Sequence, residues 1–574
     1  MVNRELYVIL SRSRIFAYLF FVVTFFFCLG SFSDVAFSQD DKKGNNKKLT
    51  ISEVDKLERL YTISPERTIL TEPLKVDGSI DYVTYFNDEL GEGVTPEKNF
   101  AVALLRELGP RFLPIDAKEE NYEKLAKEYY ENLQIDPLPK EGDYLKLDPD
   151  EKYFNTLNLS EITYAQFLDK YSEQHDRAMS GPWKKEDAPL VADYLAAKRE
   201  HLDRLVEASK TSDFCYAPFV QADWERVMNL EAGVVKVTRL ISQRAYQAAG
   251  EGDISAAYKD ILAIKRIAKL FSIRSANFVR NAIAYRSDFL ATEQVMTLLN
   301  NELPAEMLVE IKNDWKNYRR DYDYEKVSRY VVISRICTLT RMLDVMHENK
   351  ISFPLVKLFS FHFGVFSPTS GETNFLEQMG RRAEYYIFAQ TVDWDVVLVE
   401  VNVLVASAQN GTVSDRKLNS SLEKDLDDLL MEDSGMFFES RSYDHIGLLT
   451  HLTDPSNSRR ENGKLLGKIS VFLAPTGFSA EKDREKRFQQ QENLFLTGLA
   501  LEEYRLSNGD YPDRLGALVP LYFKEIPSDL YLEEGSPVDY QKEKSGYLLR
   551  SVGLDGVLGG LEWSDDIEFR ATKK

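Results

Sequence analysis

The chain has 574 residues, 44% hydrophobic and 12% aromatic, with a formal net charge of −20. That much apolar material excludes a globally disordered polymer and allows roughly two to four domains. The excess of acid argues against nucleic-acid binding, because phosphate backbones repel a polyanion, and fits a solvated, acidic surface.

Arg4, Arg12 and Arg14 precede an apolar run from Ile15 to Gly30. Small residues at Ala36 and Ser38 then fit a signal-cleavage rule. At 16 residues the run is long for a signal core and short of the ~20 residues of a comfortable span. Residues 1–38 are therefore expected to be a signal peptide or membrane anchor. Cleavage is favoured, and residues 15–32 would form the anchor otherwise. Phe25, Phe26 and Phe27 stand where a lipoprotein signal needs small residues before Cys28, so lipidation is not expected. Residues 39–48 (QDDKKGNNKK) are polar and aperiodic, which predicts a flexible linker.

Residues 49–480 read as an α-helical body of one or more domains. Thr95-Pro96-Glu97 looks like an N-cap with proline in the first turn, leading a helix to Leu108 that Gly109-Pro110 stops. Trp183 falls in a Gly181-Pro182-Trp183 turn, and a helix follows Asp187-Ala188-Pro189. The strongest periodicity joins Val227, Leu230, Val234, Val237, Ile241, Ala245 and Ala248. Gly250-Glu251-Gly252-Asp253 breaks it, and a second helix runs from about Ile254 to Phe271, which makes a helical hairpin capped by Asp253. Further helices are expected over 275–299, 304–318 and 324–347. The Phe-rich segment 351–366 predicts a buried helix or an apolar surface loop, with burial preferred. A helix over 375–408 is expected to break near Asp393-Trp394-Asp395, and 410–433 is polar.

Residues 481–574 change character. A long helix to Leu506 ends at Asn508-Gly509, and strand-like segments follow at 538–541, 547–552 and 567–571. Lys544-Ser545-Gly546 supplies a hairpin turn. The fold class expected is mainly α: a helical-hairpin body with a small C-terminal α+β module, a long helix plus a short antiparallel sheet.

The ordered series Ala500 to Arg505, Asn508-Gly509-Asp510-Tyr511-Pro512, Pro527-Ser528-Asp529, Gly546-Tyr547, and Ser551 through Gly556 resembles the globular end of type II secretion major pseudopilins. That family often holds calcium in an acidic loop near its end, so the resemblance implies Asp555, Asp565 and Asp566 as candidate calcium ligands. A hairpin turn at Asp555-Gly556 would need no metal. The family's Gly-Phe-Thr-Leu-x-Glu processing site does not precede the apolar run. Glu72-Pro73-Leu74, Gly93 through Asn99, Pro182-Trp183 and Gly250 through Asp253 resemble large exported proteins of planctomycete-type bacteria, a group that brings no activity with it.

Catalytic motifs are sparse. GxSxG, HExxH, CxxC and GxGxxG do not occur. Gly463 through Lys468 falls one residue short of a phosphate loop, has Ile469 in place of the magnesium-binding hydroxyl, and reads as a helical surface. For each of the six His, an ordinary structural role outweighs ligation. Cys215 and Cys337 could pair in an oxidising compartment, but burial as small apolar residues is preferred. Asp393 and Asp395 flank Trp394 and could serve glycoside hydrolysis, although 92 acidic residues make such pairs common by chance. The expectation is a non-enzymatic envelope interaction or assembly protein, periplasmic or secreted, meeting a protein partner and touching membrane only through an uncleaved N-terminal segment. A glycan-acting hydrolase in the helical body is the alternative.

Overall fold

The computed structural model describes residues 59–115, 121–159, 162–220, 229–275, 277–349, 391–410, 417, 421, 458–473, 478–533, 535–559 and 566–573. The leader, the linker, the 351–366 segment and most of 410–433 lie outside them. The described chain is mainly helical, with fifteen α-helices and one three-stranded antiparallel sheet near the C-terminus. No helix among the described residues is long and apolar enough to cross a membrane.

The first helices are α1 (Tyr82–Gly91), α2 (Phe100–Leu108), α3 (Tyr122–Asn132) and α4 (Glu151–Thr156). They are followed by α5 (Tyr164–Met179), α6 (Pro189–Ala197) and α7 (Arg199–Thr211). The start of α2 departs from expectation. Thr95 makes no side-chain cap and leads only a 3-10 turn at Pro96–Lys98. Asn99 is the cap: its side chain accepts from the Ala101 amide (3.1 Å) and donates to the Tyr216 carbonyl (2.8 Å). A carboxamide both accepts and donates, so it can start a helix and fix a distant strand of chain together.

The centre of the body is α8 (Asn229–Gly250), α9 (Ile254–Ser272) and α10 (Phe278–Leu298), packed as successive antiparallel neighbours. The Asp253 side chain accepts from the Ala256 amide and starts α9, as its place after Gly252 predicts. Then come α11 (Ala305–Asn317), α12 (Tyr324–Asn349), α13 (Trp394–Gln409), α14 (Arg459–Leu473) and α15 (Phe478–Asn508). The sheet is a meander of β1 (Asp539–Glu543), β2 (Gly546–Ser551) and β3 (Ile567–Thr572). The turn between β1 and β2 is only Lys544-Ser545, and Gly546 already pairs with both Glu543 and Thr572.

One apolar cluster joins α8, α9, α10 and α11 to α15 and the inner face of the sheet, with Ile264, Phe271, Trp315, Phe495, Tyr547 and Phe569 among its buried members. A second gathers α12, α13 and α14 around Ile336, Trp394, Leu398 and Leu466. Burying such side chains contributes about 1.5–3 kcal/mol each. The Gly463-to-Lys468 surface is a packing face: a methyl on Gly463 would fall 2.5 Å from the Asp393 carbonyl, and one on Gly467 would fall 2.6 Å from Glu400 Cβ. Glycine one turn apart lets α14 lie directly on α13.

Candidate functional site

The C-terminal module is held by buried contacts on two sides. A methyl added at Gly498 would fall 2.2 Å from Phe569 Cε1, so α15 approaches β3 at backbone distance. Tyr547 on β2 donates its hydroxyl to the Gly498 carbonyl (3.1 Å). Along β3 the pattern alternates, with Ile567, Phe569 and Ala571 buried and Glu568, Arg570 and Thr572 exposed. Period-two alternation is the mark of a strand with one face on a core. Towards the body, Lys573 pairs with the buried Glu502 (2.8 Å) and donates to the carbonyls of Leu299 (2.6 Å) and Asn301 (2.9 Å) just beyond α10. Tyr511 donates to the same Glu502 (2.8 Å).

Asp529 organises two loops of this module. Its carboxylate is 3% exposed. Oδ1 accepts from the Tyr531 amide and the Ser551 hydroxyl, both at 2.9 Å, and Oδ2 accepts from the Val552 amide at 3.0 Å. One carboxylate thereby ties the 528–538 loop to the exit of β2. The bridge between Ser528 and Pro537 closes the first loop on itself.

These loops and the segments beside them carry apolar side chains into solvent. Leu521 is 84% exposed, Leu554 56% and Val557 58%, with Leu506, Ile526 and Leu532 also exposed. Among the described residues, six of the thirteen exposed large apolar side chains fall between 506 and 557. Single exposed apolar residues are ordinary, but a concentration on one module, with Leu532, Leu554 and Val557 on loops that a buried carboxylate holds in place, is a feature of interaction surfaces.

Of the three candidate calcium ligands, Asp555 Oδ1 accepts from the Val557 amide (2.9 Å) and Asp566 Oδ2 from the Gly559 amide (2.8 Å). Both carboxylates stabilise turns of the β2–β3 connection, while Asp565 lies outside the described residues. Among the described residues, no group of three or more His, Cys, Asp or Glu could hold a metal ion.

The acid pair of the body is engaged in structure. Asp393 caps α13, accepting from the Val396 amide (3.3 Å). Asp395 accepts from the Thr62 amide (2.6 Å) and hydroxyl (2.9 Å) and pairs with Arg67 (3.2 Å). Trp394 between them is buried in the second core cluster. Cys215 and Cys337 are both free and buried. Burial pushes the Cys215 thiol up to about 11, away from the thiolate that reacts. His201 is buried against Glu107 (2.7 Å), His175 is half-buried beside Asp176, and His362, His445 and His451 lie outside the described residues.

Sequence reasoning missed a buried ion cluster. Lys265 and Asp288 are both fully buried and pair at 2.6 Å. Arg320 approaches Asp288 (3.3 Å) and pairs with Glu485 of α15 (2.9 Å), while its guanidinium lies 4.1 Å from the Phe488 ring centroid. The signal was present: Lys265 follows Ile261 by four residues on the apolar stripe of α9, and Asp288 sits between Ala284 and Ala291 on α10. Charges on two neighbouring buried stripes must pair. Lys265, Asp288 and the Arg320 guanidinium are closed to solvent, and the pairing with Glu485 joins α15 to the body.

Compared with protein-family models, with curated proteins and with solved structures, the chain matches none.

Proposed function

We propose that this chain is an exported, non-enzymatic protein of the cell envelope, in which the helical body carries a C-terminal module that docks a protein partner through its loop face. Export rests on the apolar run Ile15 to Gly30 behind three arginines. The resemblance of the 500–566 motifs to major pseudopilins supports an assembly role for the module. The observation that carries the reading is the exposed set Leu521, Leu554 and Val557, the last two on the exit of β2 that Asp529 pins. Preorganised apolar loops bind with a smaller ordering cost than loops that must first be fixed.

The test is co-purification of the full-length chain from envelope fractions, as wild type and as Leu521→Asp and Leu554→Asp. The wild type should bring down one partner in constant ratio, and both variants should lose it while keeping the wild-type melting temperature. Retention of that partner by both variants would remove the loop face from the reading.

A further inference from the structure

A second surface feature lies in the body, far in sequence from the C-terminal module and independent of its role. A cavity of about 230 Å³ opens between α8 and α10 beside the end of α5. Met179, Val235, Phe289 and Leu290 give it an apolar wall, and Arg239 and Arg286 supply two guanidinium groups. Among the described residues neither arginine makes a hydrogen bond or an ion pair. Arg239 is half-buried, and burial together with the neighbouring Arg286 holds its pKa below the ordinary arginine value. Asp148, whose charge also acts on Arg239, is already paired with Lys236. The hydroxyls of the wall do not quench the cations: Thr238 and Ser287 each donate to a carbonyl of their own helix (2.9 Å).

Two repelling cations beside an apolar wall are a poor arrangement for an empty surface and a good one for an oxyanion with a hydrocarbon body. The helices also give the cavity a direction. Arg239 and Arg286 line the same cavity between parallel α8 and α10 and act on each other's charge, and Glu293 lies seven residues beyond Arg286, about 10 Å along α10. An anionic head group is therefore favoured at the arginine end and disfavoured at the other. The volume is below the range for drug-sized ligands, which limits the occupant to a short chain.

We propose that the cleft between α8 and α10 binds a small amphiphile with a single carboxylate or phosphate head, held by Arg239 and Arg286, and a short apolar tail against Val235, Phe289 and Leu290.

The test is calorimetric titration of the purified full-length chain with octanoate, octyl phosphate, inorganic phosphate and octanol. Octanoate or octyl phosphate should bind one per chain, and the tighter of the two identifies the head group. Inorganic phosphate and octanol should each bind at least tenfold more weakly. Arg239→Gln and Arg286→Gln should each weaken the amphiphile by about tenfold or more, as loss of a charge-assisted contact implies, while the exposed Lys259→Gln leaves it unchanged. Each arginine variant removes one of two repelling charges, so its melting temperature should equal or exceed that of the wild type. That outcome separates lost binding from lost folding. No saturable binding of either amphiphile, or binding that survives both arginine substitutions, overturns the proposal.

Discussion

Replacing Asp529 with alanine removes an acceptor that three donors share. The Tyr531 amide, the Val552 amide and the Ser551 hydroxyl all point at a carboxylate that is 3% exposed. A hydrogen bond to a charged group contributes about 1.5–3 kcal/mol, and part of that is offset by the cost of burying the charge. The three do not add independently, so a net loss of about 3–5 kcal/mol is expected. Asp529→Asn should cost less, about 2–3 kcal/mol: one amide oxygen can still serve Tyr531 and Ser551, while the new NH₂ group meets the Val552 amide donor to donor. Ser551→Ala removes one donor and should cost about 1 kcal/mol. Denaturant unfolding gives the free energies, and amide hydrogen exchange locates the damage. Faster exchange is expected at 528–538 and 551–557, with α8 to α10 unchanged. If Asp529→Ala unfolds within 0.5 kcal/mol of wild type and its loop amides exchange at wild-type rates, the carboxylate does not organise the loop face.

Other substitutions probe the frame behind those loops. Asp288→Asn leaves Lys265 buried without a counter-ion and should cost about 3–5 kcal/mol by chemical denaturation, whereas the double change Lys265→Met with Asp288→Leu should recover most of it. Gly498→Ala places a methyl 2.2 Å from Phe569 and should destabilise by about 1–3 kcal/mol, against the stabilisation that alanine gives in an exposed helix. Burial raises the Asp344 carboxyl to about 6 despite the neighbouring Arg59 (2.7 Å). The folded state therefore holds that proton more tightly than the unfolded chain. Its contribution is complete below about pH 4 and fades as pH rises through about 6, by up to about 3 kcal/mol. Asp344→Asn should flatten the difference in stability between pH 4 and pH 7, and an unchanged pH profile would contradict that origin.

Local signals carried the fold further than the site. Apolar periodicity and the Asp253 cap revealed the α8–α9 hairpin, because both act within a few residues of chain. The break before α13 was legible for the same reason, since Asp393 caps the helix that begins at Trp394. The strand-like segment 567–571 matched β3, whose buried and exposed residues alternate. Thr95 misled because a good capping residue before a proline was outcompeted by Asn99, whose second hydrogen bond goes to Tyr216, 117 residues away. Asp529 belonged to a recognisable motif, yet its task was hidden: its partners at 551 and 552 are set by the register of β2, which no local pattern encodes. The same holds for Gly463 and Gly467, which read as a helical surface and whose role is close contact with α13. Arg239 and Arg286 were invisible as a pair because only the parallel packing of α8 and α10 brings them together.

The docking face itself is tested most directly by photo-crosslinking in intact cells. A photoreactive residue is placed at Leu521, Leu554 or Val557, and at the exposed Val309 of α11 as a reference. All three loop positions should yield an adduct with the same protein, identified by mass, and Asp529→Ala should abolish it; Val309 should yield none. Adducts that are absent at the loops, or that match those from Val309, would contradict a partner-binding role for the C-terminal module.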